Sequence, residues 1–211
     1  MNPDKYFTPA EQEKIRAAVE AAEGRTAGEI VPMVVGASGR YAEANVAGLI
    51  VGLVIGAAAA LVWHDPWSLP HAELAWPLLG AAIGLALSHV PALKRMLVRP
   101  QRMTEAVHIR SLAAFTAHGL HYTRGHTGIL ILASLFEHRV VVLADLGINA
   151  KVKPGTWDEI VATITTGLKS KNGAAAFCAA IERCGNILAE HFPRAADDRN
   201  ELADALRKEK R

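Results

Sequence analysis

Apolar residues fall along this chain in three rhythms. Near the start, Ile15, Ala18, Val19 and Ala22 recur at helical spacing. Thr8-Pro9-Ala10-Glu11 ahead of them supplies an N-cap, a proline at the first helical position and a capping-box carboxylate, and Gly24 ends the helix. Glu29–Val35 (EIVPMVV) reads as a strand in which Pro32 removes one ladder donor, which predicts an edge position or a bulge. Arg102–Tyr122 predicts a helix with Val107, Ala114 and Phe115 inward. Gly128–Leu135 and Arg139–Asp145 are rich in β-branched residues, and the short Phe136–His138 link predicts an antiparallel hairpin. After Pro154-Gly155, Thr156-Trp157-Asp158-Glu159 forms a second capping box, with Trp157, Ile160, Val161, Ile164 and Leu168 on one helical face. Asn172-Gly173 separates it from a last helix with Phe177, Ile181, Cys184 and Leu188 inward, which Pro193 stops. The charged tail from Arg194 is expected to be loose, apart from a short turn over Asn200–Leu206.

The third rhythm has no polar beat. Val46–Trp63 has 18 residues and Leu74–Leu93 has 20, both without formal charge. A bilayer core about 30 Å thick needs roughly 20 apolar helical residues, so the pair predicts a transmembrane hairpin. Trp63, Trp67 and Trp76 gather at its loop end, where indole rings favour the membrane–water interface. The loop His64–Glu73 has no Lys or Arg, whereas Lys94, Arg95, Arg99 and Arg102 follow the second span. The positive-inside rule therefore puts the loop outside and both flanks, with both termini, in the cytoplasm. Pro91 is expected to kink the inner end of the second span. Gly48, Gly52 and Gly56 make a close-packing face, suited either to the second span or to a homo-oligomer. Residues 1–45 carry seven acidic residues and no apolar h-region, so the first span is expected to be an uncleaved anchor.

The predicted order is α-β-(two spans)-α-β-β-α-α, an α/β domain with a small mixed sheet and packed helices, split by the hairpin. Its boundaries fall at 1–45 for the first part of the domain, 46–93 for the hairpin, 94–193 for the second part and 194–211 for the tail. A net charge of +2 over 211 residues gives no reason to invoke nucleic acid. The basic cluster beside the second span fits anionic lipid instead. Cys178 and Cys184, six positions apart on one helix, point to different faces and exclude a disulfide between them.

Few residues offer chemistry. Asp145, at a strand end before Leu146-Gly147, is suited to bind a cation through oxygen or to act as an acid or base, with an Asx-type cap as the plainer role. Glu29 is a second ligand if the sheet brings its strand start near Asp145, and otherwise a strand-end residue. Glu137 and His138 read as exposed turn residues, and His118, His121 and His126 as surface histidines with no obvious completing ligand. No P-loop, G-x-S-x-G elbow or G-x-G-x-x-G fingerprint is present.

Two stretches, FTPAEQEKIRAAVEAAEGRTAGEIVPMVV and HTGILILASLFEHRVVVLADLGINAKV, together with the Trp157 helix, AAIERCGNILAEHFP and the NEL near the C-terminus, resemble the TPM domain family. The most specific pieces are Thr-x-Gly-Glu-Ile and Leu-Ala-Asp-x-Gly-Ile. The inserted hairpin resembles a bacterial membrane branch of that family. The resemblance implies a role in membrane-protein assembly or maintenance; with the inserted anchor, the small-residue face and the missing catalytic set, the expectation is an inner-membrane, non-catalytic binding or assembly and maintenance module for a membrane complex. Its alternative is a weak, metal-assisted phosphatase near the membrane, with Asp145 and Glu29 as ligands of a divalent cation such as Ca²⁺ or Mg²⁺.

Overall fold

The computed structural model describes residues 2–62, 74–123, 125–194 and 202–209. Trp63, the loop His64–Glu73 with Trp67, and residues 195–201 of the tail, where the turn expected over Asn200–Leu206 begins, lie outside the described residues. The chain divides into two units, Met1–Ser38 with Thr104–Arg211, and Gly39–Met103.

In the first unit, β1 (Glu29–Val35), β2 (Gly128–Ser134), β3 (Arg139–Ala144) and β4 (Arg207–Glu209) form one sheet in the order β3-β2-β1-β4. β1 runs parallel to β2 and β4, and β2 pairs antiparallel with β3 as the short turn predicts. Both faces are covered, which is why β1 and β2 are apolar without alternation. Ile30, Val34, Ile129, Ile131 and Ala133 face one core cluster with α1 (Pro9–Glu23), α7 (Thr156–Lys169) and α8 (Gly173–His191). Val31, Met33, Val35, Leu130 and Leu132 face a second cluster with Val107 and Ala114 of α5 (Pro100–Ala117) and with Leu120. A four-residue helix, α6 (Leu146–Asn149), follows β3. The α/β class is therefore as expected, and the mixed sheet carries helices on both faces.

Several local expectations change. The Thr8–Glu11 capping box forms, but the Thr156 one does not: α7 starts after Gly155 at φ 84°, and the Thr156 hydroxyl donates to the Lys153 carbonyl at 2.7 Å instead. The helix predicted over Arg102–Tyr122 stops at Ala117, and Gly119 at φ 75° turns the chain into a 3-10 turn at Leu120–Tyr122. Residues Arg207–Glu209 of the tail are a strand, with Leu206 buried in the core. Pro32 lies on a central strand with no bulge in its register. Even-numbered β1 residues direct their N–H groups away from β2, as the Ile30 N–H bond to Glu23 shows. β4 reaches β1 only at Met33–Val35, so Pro32 withholds its donor where the neighbouring strand has not begun.

The second unit contains α2 (Ala42–Val62), α3 (Ala75–Leu87) and α4 (Pro91–Leu97). With 21 residues, α2 is about 31 Å long, enough to cross a bilayer. The second predicted span is broken. α3 has 13 residues, about 20 Å, and α4 turns away from it by 105° across Ser88–Val90, a far sharper bend than a proline kink. Val90 is held extended ahead of Pro91, which restarts the helix as its first residue. Gly48, Gly52 and Gly56 interlock with α3: a Cβ on Gly52 would lie 2.1 Å from the Gly80 carbonyl oxygen, and one on Gly84 2.1 Å from that of Gly48. The small-residue face is thus occupied within the chain. The rest of α2 and α3 presents Leu, Ile and Val outward, Ile55 at 63% exposure and Leu61 at 85%.

Candidate functional site

Asp145 and Glu29 belong to one row across the sheet. Glu29 stands in register with Gly128, and the Asp145 N–H donates to the Gly128 carbonyl at 2.9 Å. They are therefore separated by two strand spacings, about 10 Å. Leu120 fills the interval, because a Cβ on Gly128 would lie 2.6 Å from the Leu120 carbonyl oxygen. Two oxygens on one Ca²⁺ or Mg²⁺ each sit roughly 2.0–2.6 Å from the ion. The sheet aligns the two candidates without bringing them together.

Asp145 is engaged within its own turn. It caps α6, its Oδ1 accepting the Leu146 N–H at 2.7 Å, and its Oδ2 lies 3.2 Å from His126 Nδ1. Both oxygens are committed locally.

Glu29 instead joins a small acidic pocket at the edge of β1 that β4 leaves open. The cavity, about 120 Å³, is lined by Glu20, Glu23, Glu29, Asp204, Thr26 and Arg194 among others. One member is Glu23, buried at the end of α1, whose Oε1 accepts the Ile30 N–H at 2.8 Å. This side chain takes the place of a missing strand partner. Burial pushes the Glu23 carboxyl up to about 8, the Ile30 bond opposes that rise, and neighbouring Glu29 and Asp204 add to it. At neutral pH Glu23 is therefore largely protonated. Thr26 and Gly28 shape the entry: the Thr26 hydroxyl donates to the Phe192 carbonyl at 2.6 Å, and Gly28 leaves room for Leu188. Sequence reasoning missed Glu23 and Asp204. Glu23 looks like one more solvated helix carboxylate, and Asp204 sits in the charged tail. Among the described residues, no group of three or more His, Cys, Asp or Glu is placed to hold a metal ion.

The opposite end of β1 and β2 holds a second polar cluster. Glu137, expected in an exposed turn, is buried. Its carboxylate accepts the Ser38 N–H at 2.9 Å and a short bond from the Ser134 hydroxyl, which also contacts the Ser38 hydroxyl at 2.8 Å. This cluster fixes the turn after β1 to the hairpin. His138 beside it is exposed as expected.

The histidines do not converge. His118 lies 3.7 Å from Glu209, with its pKa lowered by burial and by Arg207 and Arg110, while His126 pairs with Asp145. Neither cysteine is poised for chemistry: burial raises the Cys178 pKa and pushes the Cys184 thiol up to about 12.

The fold has a counterpart among solved structures. The chain is similar to the NMR structure of the BA42 protein from the psychrophilic bacterium Bizionia argentinensis, with a TM-score of 0.61 and 20% identity over 97% of each chain. At that identity the likeness speaks for the α/β architecture alone. No protein-family model matches the chain, and no curated protein matches it either.

Proposed function

We propose that this chain is a membrane-anchored binding or assembly module, held in the bacterial inner membrane by α2 and α3 with its α/β unit on the cytoplasmic side. The observation that carries the reading is the inverted packing of the second unit. The buried positions of α2 are Ala44, Gly48, Gly52 and Gly56, while its Leu, Ile and Val side chains face outward. A soluble core helix buries its large apolar residues, and a lipid-facing helix packs through small ones. Contiguous exposed apolar surface of this kind calls for lipid or protein cover. Lys94, Arg95, Arg99 and Arg102 at and just beyond α4 suit the headgroups of an anionic leaflet. In the α/β unit Asp145 is engaged as a helix cap and with His126, which fits a binding role.

Alkaline carbonate extraction of membranes tests the anchor, and mild crosslinking in cells followed by detergent purification tests the module. The chain should stay with lipid and bring membrane proteins with it. Release into the aqueous phase overturns the anchor, and recovery of this chain alone overturns the assembly role.

A further inference from the structure

The first unit holds a second cavity, about 360 Å³, far from the acidic pocket in chemical character. It opens between the β2–β3 turn and the end of α7. Leu135, Val140 and Leu168 give it apolar walls, Tyr6 adds a ring, and His138, Lys169 and Lys171 stand at its rim. Small-molecule sites run roughly 300–1,000 Å³, mostly apolar with a few placed polar groups, and this cavity falls at the lower end.

Two rim residues carry an independent signal. Lys171 adopts φ 59° and His138 φ 53°, the left-handed region that favours glycine. Lys171 occupies the position after the α7 C-cap in a Schellman motif, with the Asn172 N–H on the Gly167 carbonyl at 2.8 Å and the Lys171 N–H on that of Leu168 at 3.4 Å. His138 ends the hairpin turn, where glycine is again the usual choice. Two unconnected turns thus each place a nitrogen-bearing side chain where glycine is easier, and both line the same cavity. Such backbone outliers concentrate at ligand sites. Lys169 and Lys171 make no ion pair with a carboxylate among the described residues.

We propose that this cavity binds a small organic anion, its apolar body against Leu135, Val140, Leu168 and Tyr6 and its single acidic head at Lys169, Lys171 and His138. The charge at the mouth supplies the complement for the head, and the walls supply the rest.

The test uses the full chain in lipid nanodiscs, with empty nanodiscs as control, and ligand-observed NMR. Phenylbutyrate should bind at least about fivefold more tightly than the neutral phenylbutanamide, the scale of one partly exposed ion pair. Lys171→Gly should weaken phenylbutyrate by about fivefold while leaving the melting temperature equal or higher, because the glycine relieves the backbone. Leu168→Ser should weaken both probes. Equal binding of the acid and the amide overturns the proposal. So does undiminished binding by Lys171→Gly, or inorganic phosphate binding as tightly as phenylbutyrate.

Discussion

The two units spend the same apolar residue types in opposite ways. In the α/β unit the fully buried side chains are large: Phe177, Ile15, Ile30, Met33, Leu130 and Ile164. In the α2–α3 pair the buried contacts are backbone to backbone through glycine, and the large side chains are outside. The difference shows that apolar content alone does not locate a core. What locates it is which residue size sits at the position that neighbours must approach.

That contrast can be broken first at the largest effect. Phe177→Ala in the α/β core should cost about 3–5 kcal/mol by denaturant unfolding. Ile55→Ala, on the exposed face of α2, should stay within about 0.5 kcal/mol in a bilayer. Equal costs would erase the distinction. Next, Gly52→Ala forces a methyl against the Gly80 carbonyl of α3, and overpacking of this kind costs about 1–3 kcal/mol. Disulfide trapping between cysteines placed at Asn45 and Ser88, whose side chains meet at 3.3 Å, should fall when Gly52 is changed. Unchanged trapping would mean that the glycine contact is not what pairs the helices.

A smaller effect sharpens the α/β side. Glu23 has a folded pKa near 8 against an ordinary 4.5, so the folded state holds its proton more tightly than the unfolded chain. Its contribution is fully present below about pH 4.5 and is lost as pH rises through about 8. Comparing wild type with Glu23→Gln between pH 5 and pH 8.5 should show the wild type losing stability that the variant keeps. Parallel curves would remove the buried-proton account. The smallest effect is at Asp145: Asp145→Ala should cost about 1 kcal/mol as a lost cap, and Asp145→Asn only a few tenths, in thermal melts.

Elements with an apolar rhythm were legible in the sequence. α1 followed from Thr8, Glu11 and its stripe, β2 and β3 from their β-branched runs, and the cap at Asp145 from its side-chain chemistry. β4 was hidden because Arg-Lys-Glu has no pattern of its own; its place comes from the free edge of β1 and from the pairs Arg110–Glu209 and Lys208–Gln12. The break in the second span was half legible: Pro91 marked the place, but the size of the bend depends on Ser88–Val90 leaving the helix as well. The acidic pocket was least legible, since Glu23, Glu29 and Asp204 meet only through the fold, and nothing local marks Glu23 as buried.

The central strand is synthesised long before either neighbour. Val34 must wait for Ala133 on one side and for Lys208 on the other, and the whole α2–α3 unit emerges in between. Non-local pairing of this kind is slow and leaves strand edges exposed. A nascent β1, fully apolar apart from Glu29, would therefore stay unpaired while the α2–α3 unit is made. The withheld N–H at Pro32, and Glu23's hold on that of Ile30, blunt the very edge that a stray strand would use.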